Sequence, residues 1–322
     1  MERILITGAT GFIGRALVSA LAPRYRLVLA LRTVPDGPLP ASADLRHIDD
    51  IGPDTDWAEA LREVDTVIHL AGRAHVAHCN AAEFDRVNHR GSLRLAEAAR
   101  AAGVGRLLYL SSAKVHGEES RGRPFDEADA PRPEGAYAAS KWAAEQGLAR
   151  LAAEGGPATV ILRPPLVYGP GAKANFAALL RLCRSGLPLP FGALANRRSL
   201  LFLGNLAAAI EAVLGAPPQP DCRTFLLRDG EDLSTPELVR RIRRALGGRA
   251  RLLPVPALLL SATLRLAGRG AMANPLLGSF AVDDSRFRRE FAWTPPFTVD
   301  EGLAITAAAQ PPGLVSLPAG AR

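Results

Sequence analysis

The chain has 322 residues, 48% of them hydrophobic and 22% charged, which excludes a disordered or fibrous protein and allows a large buried core in one or two domains. Its net charge is +7 and its pI near 9.9, but the 39 basic residues read as spread along the chain without a dense run, which argues against nucleic acid and suits an anionic small molecule. Cys79, Cys183 and Cys222 lie far apart with no metal-ligand spacing, so neither a metal centre nor a disulfide framework is expected; reduced thiols and a strand that starts at the N-terminus fit a cytoplasmic protein.

The apolar run Ile4-Leu5-Ile6 predicts a buried strand, and helical periodicity over 15–22 follows a turn spaced by Gly8, Gly11 and Gly14. Gly8 permits the tight turn, Gly11 lets a pyrophosphate approach the backbone, and Gly14 lets the helix pack on the strand. The helix N-terminus offers unpaired N–H groups and the positive end of its dipole to phosphates. This is a dinucleotide-binding start, with Gly8, Thr10, Gly11, Phe12 and Ile13 around the phosphates. A second strand over 27–31 ends at Arg32. NAD-specific folds place an acid here for the ribose 2′-hydroxyl, whereas an arginine suits a 2′-phosphate. NADP(H) is therefore favoured over NAD(H), with a solvated strand-end arginine as the alternative.

A third strand over 45–48 leads to Asp49, Asp50 and Ile51. A fourth, in the stretch 65–72, runs through Leu70 into a small-residue turn where Ala71 and Gly72 leave room for a cofactor's ribose and phosphates, with Leu70 beside them; His69 inside it reads as a packed, hydrogen-bonded histidine. The helix over 83–102 carries Asn88, a poor helix former whose side chain is expected to serve elsewhere. A strand over 107–110 delivers Ser111 and Ser112 at its carboxyl end, where ligands bind in open α/β sheets. Tyr137 and Lys141, four residues apart, share one helix face. Bringing a tyrosine from ~10 to about 7 takes roughly 4 kcal/mol, which a lysine ammonium and an oxidised nicotinamide would supply. Further on come strands over 159–162 and 224–227 and a helix N-capped by Thr235. An amphipathic helix over 255–267, too short to span a bilayer, and a loose tail over 309–322 complete the chain.

Gly8-x-x-Gly11-x-x-Gly14, Ser112 at a strand end and Tyr137-x-x-x-Lys141 together resemble the extended short-chain dehydrogenase/reductase superfamily, specifically its nucleotide-sugar epimerase, dehydratase and reductase members. The resemblance covers most of the chain. It implies a Rossmann-type, doubly wound parallel α/β sheet over 1–166, with 199–228 returning to it, and a smaller, mostly C-terminal substrate domain from 167–198 and 229–308. A nucleotide-diphosphate sugar, by resemblance a UDP-sugar, would lie in the cleft between them. The run Ser112-Ala113-Lys114-Val115-His116-Gly117 resembles the family's catalytic turn, with His116 in place of its Tyr, and makes Ser112, Tyr137 and Lys141 the catalytic residues.

By the same resemblance Asp50 accepts from the adenine amine and Ile51 packs on its ring, although either aspartate also suits a turn. Asn88 supports the active-site water and backbone. Pro164 fixes the backbone beneath the nicotinamide. Asn175 meets the pyrophosphate or uracil, Phe191 forms a base-stacking wall, and Arg198 with Arg197 clamps the diphosphate. No match to the family's later Arg and Asp substrate contacts falls near 273–277. The Asp-Glu pair of the family's 4,6-dehydratases is replaced by Ala113 and Lys114, which ranks elimination low. A 4-keto-sugar reductase is favoured, because NADP(H) suits net reduction and the run 164–205 looks most like reductases that make 6-deoxy-N-acetyl sugars. A UDP-sugar 4-epimerase is the alternative, and a non-catalytic dinucleotide sensor is the alternative of another class. The family also implies a homodimer through alanine-rich helices over 83–102 and 137–153.

Overall fold

The computed structural model describes residues 1–35, 39–74, 80–266 and 276–309; His75, His78, Cys79, the tail from 310 and most of the stretch 273–277 lie outside them. Seven parallel strands form one sheet in the order β3-β2-β1-β4-β5-β6-β9: β1 (Arg3–Thr7), β2 (Arg26–Leu31), β3 (Asp44–His47), β4 (Thr66–His69), β5 (Arg106–Leu110), β6 (Ala158–Arg163) and β9 (Cys222–Leu226). Parallel strands buried on both faces need apolar residues at successive positions, and β1 shows what that achieves. Ile4 and Ile6 point to one core with α1 (Phe12–Leu21) and α6 (Leu203–Gly215). Leu5 points to the other, with Trp57, α3 (Gly91–Ala101) and α4 (Gly135–Ala153).

Strand order reverses between β1 and β4, so the carboxyl ends of these two strands open a crevice at the switch point. The glycine turn follows β1, Leu70-Ala71-Gly72 follows β4, the two serines follow β5 and Pro164 follows β6. All the segments singled out for cofactor and chemistry thus meet at one edge.

A second lobe is built on a three-stranded sheet, β10-β8-β7, from β7 (Leu166–Tyr168), β8 (Arg198–Phe202) and β10 (Asp232–Leu233). Its core joins Tyr168, Phe176 and Phe202 to helix α7 (Thr235–Ala245) and helix Val299–Ala308. Because β8 pairs with β7 and β10, the return to the large sheet begins at α6 and not at residue 199. Helix Ser285–Phe291, expected with the second lobe, instead sends Phe287 into the first core, where Trp293 also packs.

Two local readings are corrected. The helix over 83–102 is one run broken in character: α2 (Ala81–Phe84), a π-helical segment Asp85–Arg90, then α3. The N-cap of α7 is Ser234, whose hydroxyl accepts from the Glu237 amide at 3.2 Å. Thr235 is already helical and buried, and its hydroxyl is spent between Asn196 and the Leu276 carbonyl, so it has no free oxygen to cap with.

Candidate active site

The turn after β1 is compressed from two sides. Gly8 sits at φ +73°, and a Cβ there would lie 2.8 Å from the Ala71 amide nitrogen; a Cβ on Gly14 would lie 2.1 Å from the Gly8 carbonyl. The first contact seats the turn against the end of β4, and the second packs α1 onto β1. Thr7 locks the same junction, its Oγ1 2.6 Å from His69 Nδ1 and accepting from the Ala71 amide at 3.3 Å. His69 is fully enclosed, with Ser92 Oγ 2.8 Å from its other nitrogen, and burial together with the nearby Lys141 charge pulls its pKa to about 3. It is the packed, neutral histidine that its place in the strand predicts. Helix α1 is N-capped by Gly11 with no side-chain cap and no acid in its first turn, so its first amides carry the positive end of the dipole uncapped by any side chain; the Gly11 amide itself donates to the Gly8 carbonyl at 3.0 Å. Phe12 also packs against the core of the second lobe, so the glycine turn touches both lobes.

Arg32 leaves β2 with its side chain 65% exposed, and its guanidinium is 3.9 Å from Asp50. Asp50 is held harder by Arg86, at 2.7 Å, from the π-helical segment. Burial works to raise the Asp50 carboxyl, but the Arg86 hydrogen bond, the Ile51 amide and both arginine charges outweigh it and keep it below the usual carboxylate range. One carboxylate oxygen is therefore committed before any adenine amine is considered. Arg86 carries no motif of its own; nothing in the sequence marks it. Ile51 is buried, and a Cβ on Gly91 would come within 2.9 Å of it.

Chemistry gathers beyond β4 and β5. Ser112 is half-buried and starts a short 3-10 turn, its hydroxyl accepting from the Lys114 amide at 3.2 Å. Tyr137 stands opposite on α4, edge-on to Phe84 at 6.1 Å. Burial pushes the Tyr137 phenol above its ordinary value, and the nearby Ser112 hydroxyl pulls the other way. The Lys141 ammonium donates to the Leu110 carbonyl at 2.8 Å and lies over the Tyr109 ring, 4.6 Å from its centroid. Burial brings its pKa down to about 8, opposed by Glu145. A lowered phenol is thus not produced by the protein's own groups in this arrangement, because desolvation dominates and the ammonium is turned to the backbone.

Asn88 explains the π-helical segment. Its side chain accepts from the Arg73 amide at 2.7 Å and donates to the Arg73 carbonyl at 2.9 Å and to Ser140 Oγ at 3.1 Å. Its own carbonyl accepts from Ser92 Oγ at 2.7 Å and Tyr109 Oη at 3.3 Å. The widened turn lets one residue hold the loop after β4 and the Tyr137–Lys141 turn of α4 at once. A Cβ on Gly72 would fall 3.0 Å from Asn88 Oδ1 and 3.3 Å from Lys141 Nζ. A larger residue at position 72 would therefore press on both side chains.

Ser111 and Ser112 have different fates. The Ser111 hydroxyl is buried on Glu145, which forms an enclosed ion pair with Arg163 at the end of β6. Arg163 Nη1 also donates to His116 Nε2 at 2.9 Å, and its guanidinium faces the Trp142 ring. Burial and the Arg163 charge hold His116 down to about 4. This gives His116 a reason to stand where the resemblance expects a Tyr: it accepts from the arginine that ties β6 to the turn after β5. Pro164 joins the same tie, its carbonyl accepting from the Ala113 amide at 2.9 Å.

On the substrate side the named residues are dispersed. Asn175 is exposed in the first turn of α5 (Ala174–Arg184), and Phe191 is buried in the core of the second lobe. Arg198 is half-buried, and one of its nitrogens donates to the Gly278 carbonyl at 3.0 Å; burial lowers its pKa against the charge of Glu118. Arg197 is exposed and paired with Asp232 at 3.0 Å. Among the described residues no cluster of three or more His, Cys, Asp or Glu could hold a metal ion.

The profile of the NAD dependent epimerase/dehydratase family matches residues 4–225. The chain belongs to this family of NAD(P)-dependent enzymes. It is 38% identical over 316 residues to UDP-glucose 4-epimerase of Vibrio cholerae, covering 96% of this chain and 95% of that protein. It is 31% identical to ceramide reductase of Caulobacter vibrioides, over 91% of this chain and 86% of the other. Among solved structures, MoeE5 in complex with UDP-glucuronic acid and NAD superposes with a TM-score of 0.76 at 26% identity, covering 96% of this chain and 98% of that one. UDP-N-acetylglucosamine 4-epimerase from Bacillus cereus, at 20% identity, shares the fold with a TM-score of 0.78 over 96% and 99% of the two chains.

Proposed function

We propose that the protein is an NADP(H)-dependent nucleotide-sugar 4-ketoreductase, acting on a UDP-4-keto-6-deoxy-N-acetylhexosamine. The carrying observation is the placing of the Tyr137 phenol on α4 near the Ser112 hydroxyl at the end of β5, with Lys141 one helical turn on from Tyr137 and close to Gly72. Ser112 holds the sugar O4. Tyr137 donates the proton that O4 needs as C4 is reduced, a task for which a phenol kept protonated by burial is suited. Lys141, whose ammonium lies close to Gly72, holds ribose hydroxyls. The chemistry a reduced nicotinamide brings when bound is hydride to C4. Arg198, with donors beyond the one given to Gly278, takes the diphosphate. The alanine-rich helices α3 and α4 are the proposed dimer surface; a stable monomer by light scattering at micromolar concentration would remove that part.

The cofactor preference rests on Arg32. Its guanidinium is exposed and only loosely held by Asp50, so a 2′-phosphate meets a cation that keeps most of its donors. A charge-assisted bond of roughly 1.5–3 kcal/mol corresponds to about 10- to 150-fold in affinity. Arg32→Ala should weaken NADPH binding by that factor and leave NADH unchanged in parallel fluorescence titrations. Tighter NADH binding, indifferent to the substitution, refutes the assignment.

A second reading is supported by the Vibrio cholerae relative named a UDP-glucose 4-epimerase. Ser112, Tyr137 and Lys141 serve either reaction, because both move a hydride at C4 and a proton at O4. The deciding assay follows NADPH spectrophotometrically with a UDP-4-keto-6-deoxy-N-acetylhexosamine. Stoichiometric oxidation is expected; interconversion of UDP-glucose and UDP-galactose with no net cofactor consumption makes the protein an epimerase.

A further inference from the structure

The arginines are less evenly spread than the composition suggests. Residues 238–282 contain eight arginines and no aspartate or glutamate. Within this stretch lies helix α8 (Ala257–Leu266) on the outside of the second lobe. At 100° per residue, Leu260 marks the inward side, and it is buried. The opposite arc carries Leu258, Ala262, Leu266 and Leu259, with Leu258 84%, Leu259 58% and Leu266 89% exposed. The usual arrangement of a surface helix, apolar inward and polar outward, is here replaced by leucines on both sides. Arg265 borders the outward arc, and Arg249 and Arg251 lie in the segment that leads into the helix; all three are exposed and form no ion pair among the described residues.

We propose that α8 is a docking face for an anionic lipid surface. The charge pattern selects the occupant. A second copy placed on this face by a two-fold axis would bring the same arginines against one another, and like charges at a contact oppose it. An anionic headgroup layer instead neutralises them while the outward leucines enter the acyl boundary. The helix lies in the interface plane: no helix among the described residues is long and apolar enough to cross a membrane. The active-site crevice belongs to the other lobe's strand ends, so docking through α8 does not use any residue assigned to catalysis. This inference is independent of which sugar reaction the protein performs.

The test is co-sedimentation of the full chain with vesicles of phosphatidylcholine alone or mixed with phosphatidylglycerol. Binding is expected only to the anionic vesicles. It should fall as salt rises from about 0.1 M to about 1 M, which shortens the screening length from about 10 Å to about 3 Å. Arg251→Ala and Arg265→Ala should each weaken it about fivefold. The double variant Leu258→Ser/Leu266→Ser should weaken it by at least about tenfold with unchanged circular dichroism and unchanged turnover. The proposal is overturned if the protein ignores anionic vesicles, if it binds neutral ones equally, or if the double variant binds as well as the parent. Leucine-dependent self-association in sedimentation velocity, without vesicle binding, would assign the face to a second copy.

Discussion

Tyr137→Phe is expected to lower turnover by about 10²- to 10⁴-fold, the usual worth of a positioned proton donor, and to leave dinucleotide affinity nearly unchanged. The substitution removes one oxygen. The ring keeps its edge-on contact with Phe84, and α4 keeps the face that carries Lys141 and Glu145. Lys141 keeps its bond to the Leu110 carbonyl, so the wall beside the cofactor crevice is preserved. What disappears is the proton for O4 and the phenol oxygen near the Ser112 hydroxyl. Pre-steady-state hydride transfer, followed at the nicotinamide absorbance, separates this from a binding defect. Turnover within threefold of the parent on a confirmed substrate, an effect well under about 1 kcal/mol, would mean that the proton comes from another group.

The fold was legible in the sequence because its determinants are local. Gly8, Gly11 and Gly14 after Ile4-Leu5-Ile6 demand a strand, a tight turn and a helix, and the structure shows why two of the three cannot carry a side chain: Ala71 and the Gly8 carbonyl occupy the space. The choice of Ser112 over Ser111 came from a motif; its physical basis is that Ser111 is buried on Glu145, which no local pattern announces. Arg86 was invisible for the same reason, since it meets Asp50 across 36 residues of chain. The π-helical segment was missed because Asn88 is satisfied by Arg73, Ser92, Tyr109 and Ser140, partners from different elements. Glu145 alone left a usable trace: Tyr137, Lys141 and Glu145 follow one another at intervals of four, so a third charged or polar group on that helix face was foreseeable. The direction of the Tyr137 shift was not, because it depends on burial and on where the lysine ammonium turns.

Removing Glu145 should be the most damaging single change to stability outside the cores. Its carboxylate is 2% exposed and the guanidinium of Arg163 5%, and four groups converge there: Ser111, Glu145, Arg163 and His116. Among the described residues, Glu145→Ala leaves the buried Arg163 guanidinium hydrogen-bonded only to a histidine nitrogen, with the Trp142 ring beside it. His116 cannot help by changing charge, since protonation would set a second cation against the first. Breaking one side of a buried pair costs about 3–5 kcal/mol, a large part of the 5–15 kcal/mol that holds a typical domain. Exchanging both partners for methionine removes the stranded charge, and a substantial part of the loss should return, because well-packed apolar replacements of a buried pair are often neutral. Urea unfolding of the parent, Glu145→Ala and Glu145→Met/Arg163→Met checks both statements. A single-variant loss below about 1 kcal/mol would show that Arg163 finds water or another partner, and the pair would then be peripheral to the stability of the β5–β6 edge that presents Ser112 to Tyr137.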